Sequence, residues 1–189
     1  IPIIMRILDG RNDLHEKEWT NEYLNSYIER FTIEKILSNT HGHEPYKKAS
    51  FLICNALKNY DLSDKTIAVI GSTSPWIEAI LINHGCQNIT TVEYNKPNSS
   101  HPFIKTIEYK DYLNEENKYD YVITYSSIEH SGLGRYGDPL NPIADIETMK
   151  VIHKSLKNDG ILFWGAPVGG SDVLTWNAHR VYGKIRLPL

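Results

Sequence analysis

From Lys65 onward the chain alternates short β-rich runs with helical stretches, and few patterns restrict the choice of fold more tightly. The runs are "TIAVIG", "NITTVEY", "FIKTIEY", "YDYVITYSS" and "GILFWGAP"; between them lie "PWIEAILINHG", a short polar stretch and "IADIETMKVIHKSLKNDG". Parallel neighbours need a crossover, which the intervening helices supply. The expectation is therefore an α/β fold, a Rossmann-like doubly wound, mostly parallel sheet over residues 61–189. "TIAVIG" and "YDYVITY" should be adjacent central strands, because their apolar content suits strands covered on both faces. In the last helical stretch Ile146, Met149, Ile152 and Leu156 form an apolar stripe, and Gly160 is the expected left-handed exit. The short tail after "GILFWGAP" leaves little room for further strands.

Residues 1–60 read as a helical segment packing on that core. In "WTNEYLNSYIERFTIEKIL" the apolar Trp19, Tyr23, Leu24, Tyr27, Ile28 and Phe31 recur at steps of three and four, which paints one helix face. "HGHEPY" interrupts with Gly42 and Pro45, and "KKASFLICNALKNY" resumes the helical pattern. With 189 residues the expectation is a single domain with a proper core.

Composition excludes several classes of function. The chain is 41% hydrophobic and 23% charged, as soluble globular proteins are, and its 12 tyrosines argue against disorder. A net charge of -3 gives no bulk attraction to nucleic acid or to an anionic membrane, so the expected partner is a small molecule. Cys54 and Cys86 form no CxxC pair and sit in apolar stretches, which points to buried free thiols and, with them, to a cytoplasmic setting. No apolar run approaches the ~20 residues of a membrane span, and "IPIIMRIL" lacks the marks of a signal peptide. The chain starts on Ile1 rather than methionine, as a piece of a longer protein would. An upstream signal or anchor, the completeness of the carboxyl end and the oligomeric state are left open.

Open parallel sheets bind ligands beyond the carboxyl ends of their strands, near the point where strand order reverses. The first run ends in "GSTSPW": Gly71 permits close backbone approach, Ser72, Thr73 and Ser74 offer hydroxyls, and Pro75 suits the first turn of a helix. A plain strand-to-helix turn is the competing reading. The second run ends in Glu93, about twenty residues after Gly71, where a carboxylate can accept hydrogen bonds from both hydroxyls of an adenosine ribose. Ser126 and Ser127 end the fourth run; Glu129 and His130 follow, and as adjacent residues their side chains are expected to diverge. His130 titrates near neutrality and is the candidate base.

The order "KTIAVIG", acidic "TTVEY", "YDYVITYSSIEH" and "IHKSLKNDGILFW" resembles the class I S-adenosylmethionine-dependent methyltransferases, from the glycine loop through the fifth strand. More narrowly, "GSTSPWIEAI", "SSIEHSGLGRYGDPLNP" and "PVGGSDVLTWNAHRVYGKIRLPL" resemble the family called domain of unknown function 268, known from nematodes and bacteria, over roughly Lys65 to Leu189. The methyltransferase resemblance implies that Gly71 and Ser72 approach the cofactor, that Glu93 holds the ribose, that Asp111 receives the adenine amino group and that Ser126 and Ser127 edge the methionine end. The departure is at "GSTSPW", where the usual glycine-rich loop keeps one glycine.

Two stretches exceed what such a fold requires. "HSGLGRYGDPLNP" offers His130, Arg135 and Asp138, and "WNAHRVYG" offers His179 and Arg180; the arginines suit a carboxylate, phosphate or sugar-phosphate ligand. Gly132, Gly134 and Gly137 let the first loop fold tightly as a substrate-side wall, with a structural Ω-loop as the alternative. The expected activity is methyl transfer from S-adenosylmethionine to a small polar or glycan-related substrate, with His130 as base, Arg135 and Asp138 orienting the substrate, and His179 and Arg180 behind them. The rivals are a member of the fold that binds a nucleotide, sugar or protein without transferring methyl, and a metal-dependent enzyme using Glu129, His130, Asp138 and His179. "HGHE" (His41, His43, Glu44) reads as a polar break between helices.

Overall fold

The five β-rich runs pair into one five-stranded parallel sheet. The structure is a computed structural model that describes residues 1–10, 18–44, 46–116 and 118–189. In chain order its elements are β1 (Ile3–Met5), β2 (Glu18–Trp19), α1 (Asn21–Arg30), α2 (Ile33–Leu37), α3 (Ala49–Leu57), β3 (Thr66–Ile70), α4 (Trp76–Asn83), β4 (Asn88–Glu93) and β5 (Asn98–Ser99). There follow β6 (Ile104–Glu108), α5 (Tyr109–Tyr112), β7 (Tyr119–Tyr125), α6 (Ala144–Ser155), β8 (Leu156–Gly165), β9 (Val173–Trp176) and β10 (His179–Val181). Across the large sheet the order is β6-β4-β3-β7-β8. The chain thus moves outward from β3 through β4 to β6, then returns to β3's other side, which makes the β3/β7 boundary the switch point of a Rossmann-like sheet. The expected adjacency of "TIAVIG" and "YDYVITY" holds. Ile67, Ala68 and Val69 of β3 and Val122 and Ile123 of β7 are buried, as strands covered on both faces must be.

Register is pinned at the amino ends of these strands by one carboxylate. Asp120 Oδ2 accepts from the Thr66 backbone N–H and hydroxyl, each at 2.9 Å, and from Lys157 Nζ at 2.8 Å. Burial pushes this carboxyl up, but the Lys157 and Thr66 donors outweigh it and hold its pKa at about 2.

The chain gathers into two units, one of His15–Ile123 with Leu156–Phe163 and one of Ile1–Leu14, Thr124–Ser155 and Trp164–Leu189; we call them the sheet unit and the loop unit. In the sheet unit, the apolar face expected for a single long helix is divided. α1 stops at Phe31, and Thr32 accepts the Lys35 N–H to begin α2. The break is stabilised from α4, whose Asn83 amide donates to the Ile28 and Phe31 carbonyls at 2.8 and 3.2 Å, giving the frayed end of α1 its partners. In "HGHEPY", Gly42 adopts φ +81° and Glu44 accepts the Ser50 N–H and hydroxyl at the start of α3; Pro45 lies outside the described residues. Cys54 and Cys86 are both buried free thiols, as expected. Among the described residues no helix is long and apolar enough to cross a membrane.

The loop unit departs from the sequence reading in four places. Ile3–Met5 is a strand and not part of a helical segment, because its backbone pairs in parallel with β9. The tail after "GILFWGAP" does hold further strands: β9 and β10 pair antiparallel and complete the three-stranded sheet β1-β9-β10. The buried face of α6 is Asp145, Thr148, Ile152 and Ser155, so of the expected stripe only Ile152 is fully covered. Gly160 lies inside β8 and is absent from the glycines with positive φ, since α6 runs directly into the strand.

The rotated face of α6 follows from a buried ion network. Asp145 accepts from Arg186 Nε at 2.7 Å and from Arg186 Nη2, takes the Tyr182 hydroxyl at 3.1 Å, and lies 3.6 Å from Arg180 Nε. Asp172, almost fully buried, accepts the backbone N–H groups of Gly183, Ile185 and Arg186 at 2.9–3.0 Å. Two acids thus tie the end of the chain to α6 and β9. Replacing Asp145 by alanine leaves the buried Arg180 and the half-buried Arg186 without their counter-ion and should cost about 3–5 kcal/mol, read as a lowered denaturation midpoint. An unchanged midpoint would show that the network contributes no net stability.

Candidate functional site

In the sheet unit the candidate residues meet at the carboxyl ends of β3 and β4. The register that sets Ile70 opposite Val92 carries on into the turn, where the Gly71 N–H donates to the Val92 carbonyl at 3.0 Å. Gly71 has φ +82°, a conformation open to glycine at no steric cost, so the turn needs this residue. Glu93 ends the neighbouring strand beside it, half-buried, with Oε2 accepting the Tyr94 N–H at 3.0 Å. Burial, opposed by the Tyr94 N–H and reinforced by the charge of Glu78, raises its pKa to about 7. Asp111 sits exposed on the single turn α5.

Glu78 is the residue that sequence reasoning passed over. It lies on α4, fully buried, and accepts the Ser72 hydroxyl at 2.8 Å and the Thr91 hydroxyl at 2.7 Å. The carboxyl therefore fastens the turn after β3 to β4. Burial raises its pKa to about 7 against the pull of those hydroxyls. A signal existed: an acid inside the otherwise apolar "WIEAIL" is rare unless something partners it. The Ser72 hydroxyl also reaches the Ser74 carbonyl at 3.0 Å, so what this turn offers a ligand is backbone.

In the loop unit the stretch after β7 is shaped by unusual backbone. Ser126 has φ +50° without being glycine, a strained conformation held by its N–H bond to the Gly165 carbonyl at 2.8 Å. Ser127 then accepts the His130 N–H at 3.0 Å and closes a 3-10 turn over Ile128–His130. Gly132, Gly134 and Gly137 all have positive φ. At Gly132 any side chain is excluded, since a Cβ would meet the Asn141 carbonyl oxygen at 2.1 Å.

The tight turn brings together the two side chains expected to diverge. His130 Nε2 lies 3.8 Å from Glu129 Oε1 within the 3-10 turn. The opposite ring nitrogen, Nδ1, bonds the Ala178 carbonyl. Burial lowers the His130 pKa to about 4, more than that carbonyl restores, with Arg135 and His179 adding to the fall. The ring also meets His179 edge-on at 6.2 Å and Tyr136 at 5.8 Å. Arg135 stacks 5.0 Å from the Tyr136 ring, and its buried Nε has no hydrogen-bond partner among the described residues. His130, Arg135 and His179 are thus assembled into one cluster.

Asp138 and Arg180 are placed otherwise. Asp138 accepts the backbone N–H groups of Gly134 and Tyr136, both at 3.2 Å, and so braces its own loop. Arg180, 4% exposed, donates to the carbonyls of Glu129, Ser131, Asn141 and Pro142. It is the post around which the loop is wound. Among the described residues no three histidine, cysteine or acidic side chains converge as metal ligands, Glu129, His130, Asp138 and His179 included.

A parallel α/β sheet with a one-glycine turn at its switch point defines the class of structure. Residues 64–189 match the family described as "Caenorhabditis protein of unknown function, DUF268", and the chain belongs to that family. No curated protein matches the chain.

The buried acids give the fold a pH dependence of definite sign. Glu78 and Glu93 have folded pKa values near 7 against an ordinary 4.5, so between these limits the folded chain holds protons that the unfolded chain has released. Their contribution to stability falls as pH rises through that window. Glu78→Gln removes the penalty while keeping a hydrogen-bonding side chain, so its melting temperature should exceed that of the parent by about 2–8 °C at pH 8 and match it at pH 4. Equal differences at both pH values would show that folding leaves the Glu78 pKa unshifted.

Proposed function

We propose that this chain is an S-adenosylmethionine-dependent methyltransferase acting on a small polar or glycan-related substrate. The observation that carries the reading is the pairing of Gly71, at φ +82° after β3, with Glu93 at the end of the adjacent strand β4. The donor set suits an adenosine: the glycine turn admits close backbone approach, and the Glu93 carboxylate is engaged only on its Oε2 side by a backbone donor. Ribose hydroxyls can fill the acceptor positions that no described residue takes. The cofactor, when bound, supplies a methyl group on a sulfonium sulfur. Gly71 and Ser72 give backbone contact, and Glu78 holds their turn in place through Ser72 and Thr91. His130, neutral at physiological pH, is suited to take a proton from the acceptor, and Arg135 to hold an anionic group.

A second reading is favoured by one specific feature. "GSTSPW" retains a single glycine, and the Ser72 side chain is committed to Glu78, so the turn offers fewer approaches than a glycine-rich loop. This supports a member of the fold that binds a nucleotide or sugar without transferring methyl.

Calorimetric titration with S-adenosylmethionine and S-adenosylhomocysteine separates the two. On the first reading both bind, affinity rises from pH 6 to pH 8 as Glu93 ionises, and Glu93→Ala weakens binding by about 1–3 kcal/mol, the scale of lost charge-assisted hydrogen bonds. Absence of binding by the parent chain excludes the methyltransferase, and full affinity in a folded Glu93→Ala variant removes Glu93 from the site.

A further inference from the structure

Just beyond β7 the side chains of Glu129 and His130 approach one another without meeting. A carbonyl oxygen can only accept, so the His130 nitrogen bonded to Ala178, Nδ1, carries the ring hydrogen and Nε2 is the bare acceptor of a neutral imidazole. Nε2 is 3.8 Å from Glu129 Oε1, beyond direct hydrogen-bonding distance. The Glu129 carboxyl is fully buried, and neither of its oxygens has a hydrogen-bond partner among the described residues. Arg180 approaches, yet donates to the backbone carbonyl of Glu129 and not to its side chain. Ser126 and Ser127 lie close enough to counter the burial that raises this carboxyl's pKa without attaining hydrogen-bond geometry.

An ionised carboxylate left bare in such a place costs several kcal/mol, so the favoured form of Glu129 carries a proton. The pair then presents one donor, the carboxyl O–H, and one acceptor, Nε2. An oxygen placed ~2.8 Å from each closes a triangle on the observed separation, with a hydrogen bond along either side. Only a group that donates and accepts at once satisfies both, and a hydroxyl does so. An ammonium group has no lone pair to accept with. The His130 side chain is 13% exposed, whereas that of Glu129 is closed off.

We propose that Glu129 and His130 form a two-point site for a hydroxyl oxygen, and that the group methylated by this protein is an alcohol, as on a sugar or polyol. The identity of the site rests on the two side chains alone; its use in methyl transfer rests on the function proposed above. In that step the O–H bond breaks and its proton passes to His130 Nε2, the oxygen lone pair forms the new bond to the methyl carbon, and the C–S bond breaks with its electrons retained on sulfur. The products are an ether, a thioether and an imidazolium. Glu129 keeps its proton and orients the hydroxyl.

The full chain, with its histidines labelled with nitrogen-15, gives the test through long-range proton–nitrogen correlation spectra, the His130 ring being assigned by its loss in His130→Gln. The proposal expects a neutral ring protonated on Nδ1, and an Nε2 resonance that shifts saturably with methyl α-glucopyranoside and not with methylammonium chloride. In Glu129→Leu, which removes the donor where Glu129→Gln would keep one, the glucoside response should weaken at least about tenfold, the scale of one lost buried hydrogen bond, while the melting temperature stays level or rises because an unpartnered carboxyl has been removed. A proton on Nε2 in the parent chain overturns the proposal whatever the variant does. So do an equal response to methylammonium, an unweakened response in Glu129→Leu, or no response to the glucoside, which would mean that the pair holds water alone. Because the probe is read without cofactor, failure here is distinct from failure to bind S-adenosylmethionine.

Discussion

Parallel strands cannot be joined by a hairpin, and that restriction on backbone hydrogen bonding arranges most of this molecule. Each strand of the sheet must be reached by a crossover, so the carboxyl ends of β3, β4, β6, β7 and β8 are where the chain leaves the sheet, and those exits carry the special residues. Gly71 at φ +82° and Ser126 at φ +50° mark the exits of β3 and β7, the two strands at the switch point. The opposite end is treated differently. There Asp120 serves as a clamp between β3 and β8, with every partner in place.

The buried acids show how one side chain type is put to separate uses by its partners. Asp145 is surrounded by two guanidinium groups and a hydroxyl and stays ionised, its pKa held down despite burial; its work is to fix the chain's end on α6. Glu78 has two hydroxyls and no cation, which satisfies hydrogen bonding without neutralising charge, and its proton is accordingly retained to about pH 7. Neither carboxyl oxygen of Glu129 has a hydrogen-bond partner among the described residues. Along this series the net contribution to folding falls and the capacity to engage something from outside rises. The loop glycines belong to the same economy of space: with a side chain at Gly132 the loop could not approach Asn141, and Arg180 could not gather the loop carbonyls around one guanidinium.

Arg180 also explains why residue type alone misleads. An arginine beside a histidine in a glycine-rich neighbourhood reads as an anion-binding pair, yet the four carbonyls it serves are contributed by residues about forty to fifty positions earlier. Asp138 is similar on a shorter scale, its carboxylate spent on two N–H groups of its own loop. Arg135 is the reverse case, its buried Nε having no hydrogen-bond partner among the described residues. The distinction depends on where backbone donors and acceptors fall after folding.

Sequence by itself determined the parallel sheet, its five strands, the adjacency of "TIAVIG" and "YDYVITY", and the exits at Gly71 and Ser126, because apolar period, strand length and glycine placement are local properties of the chain. It also determined family membership over the carboxyl-terminal part of the chain. Tertiary structure alone decided the break of α1 at Phe31, made favourable by an amide on α4, and the strands β1, β9 and β10, whose short segments gain order only by pairing across the length of the chain. It alone decided that α6 buries Asp145 rather than Ile146, since the arginine and tyrosine that compensate that charge lie some forty residues away. The approach of Glu129 to His130 was settled in the same way: the Ser127 carbonyl holds the His130 backbone and the distant Ala178 carbonyl holds its ring, leaving Nε2 3.8 Å from the Glu129 carboxyl. Periodicity records which face of an element is apolar, whereas the partners of a buried charge are fixed by contacts between segments far apart in the chain, and these carry no local pattern.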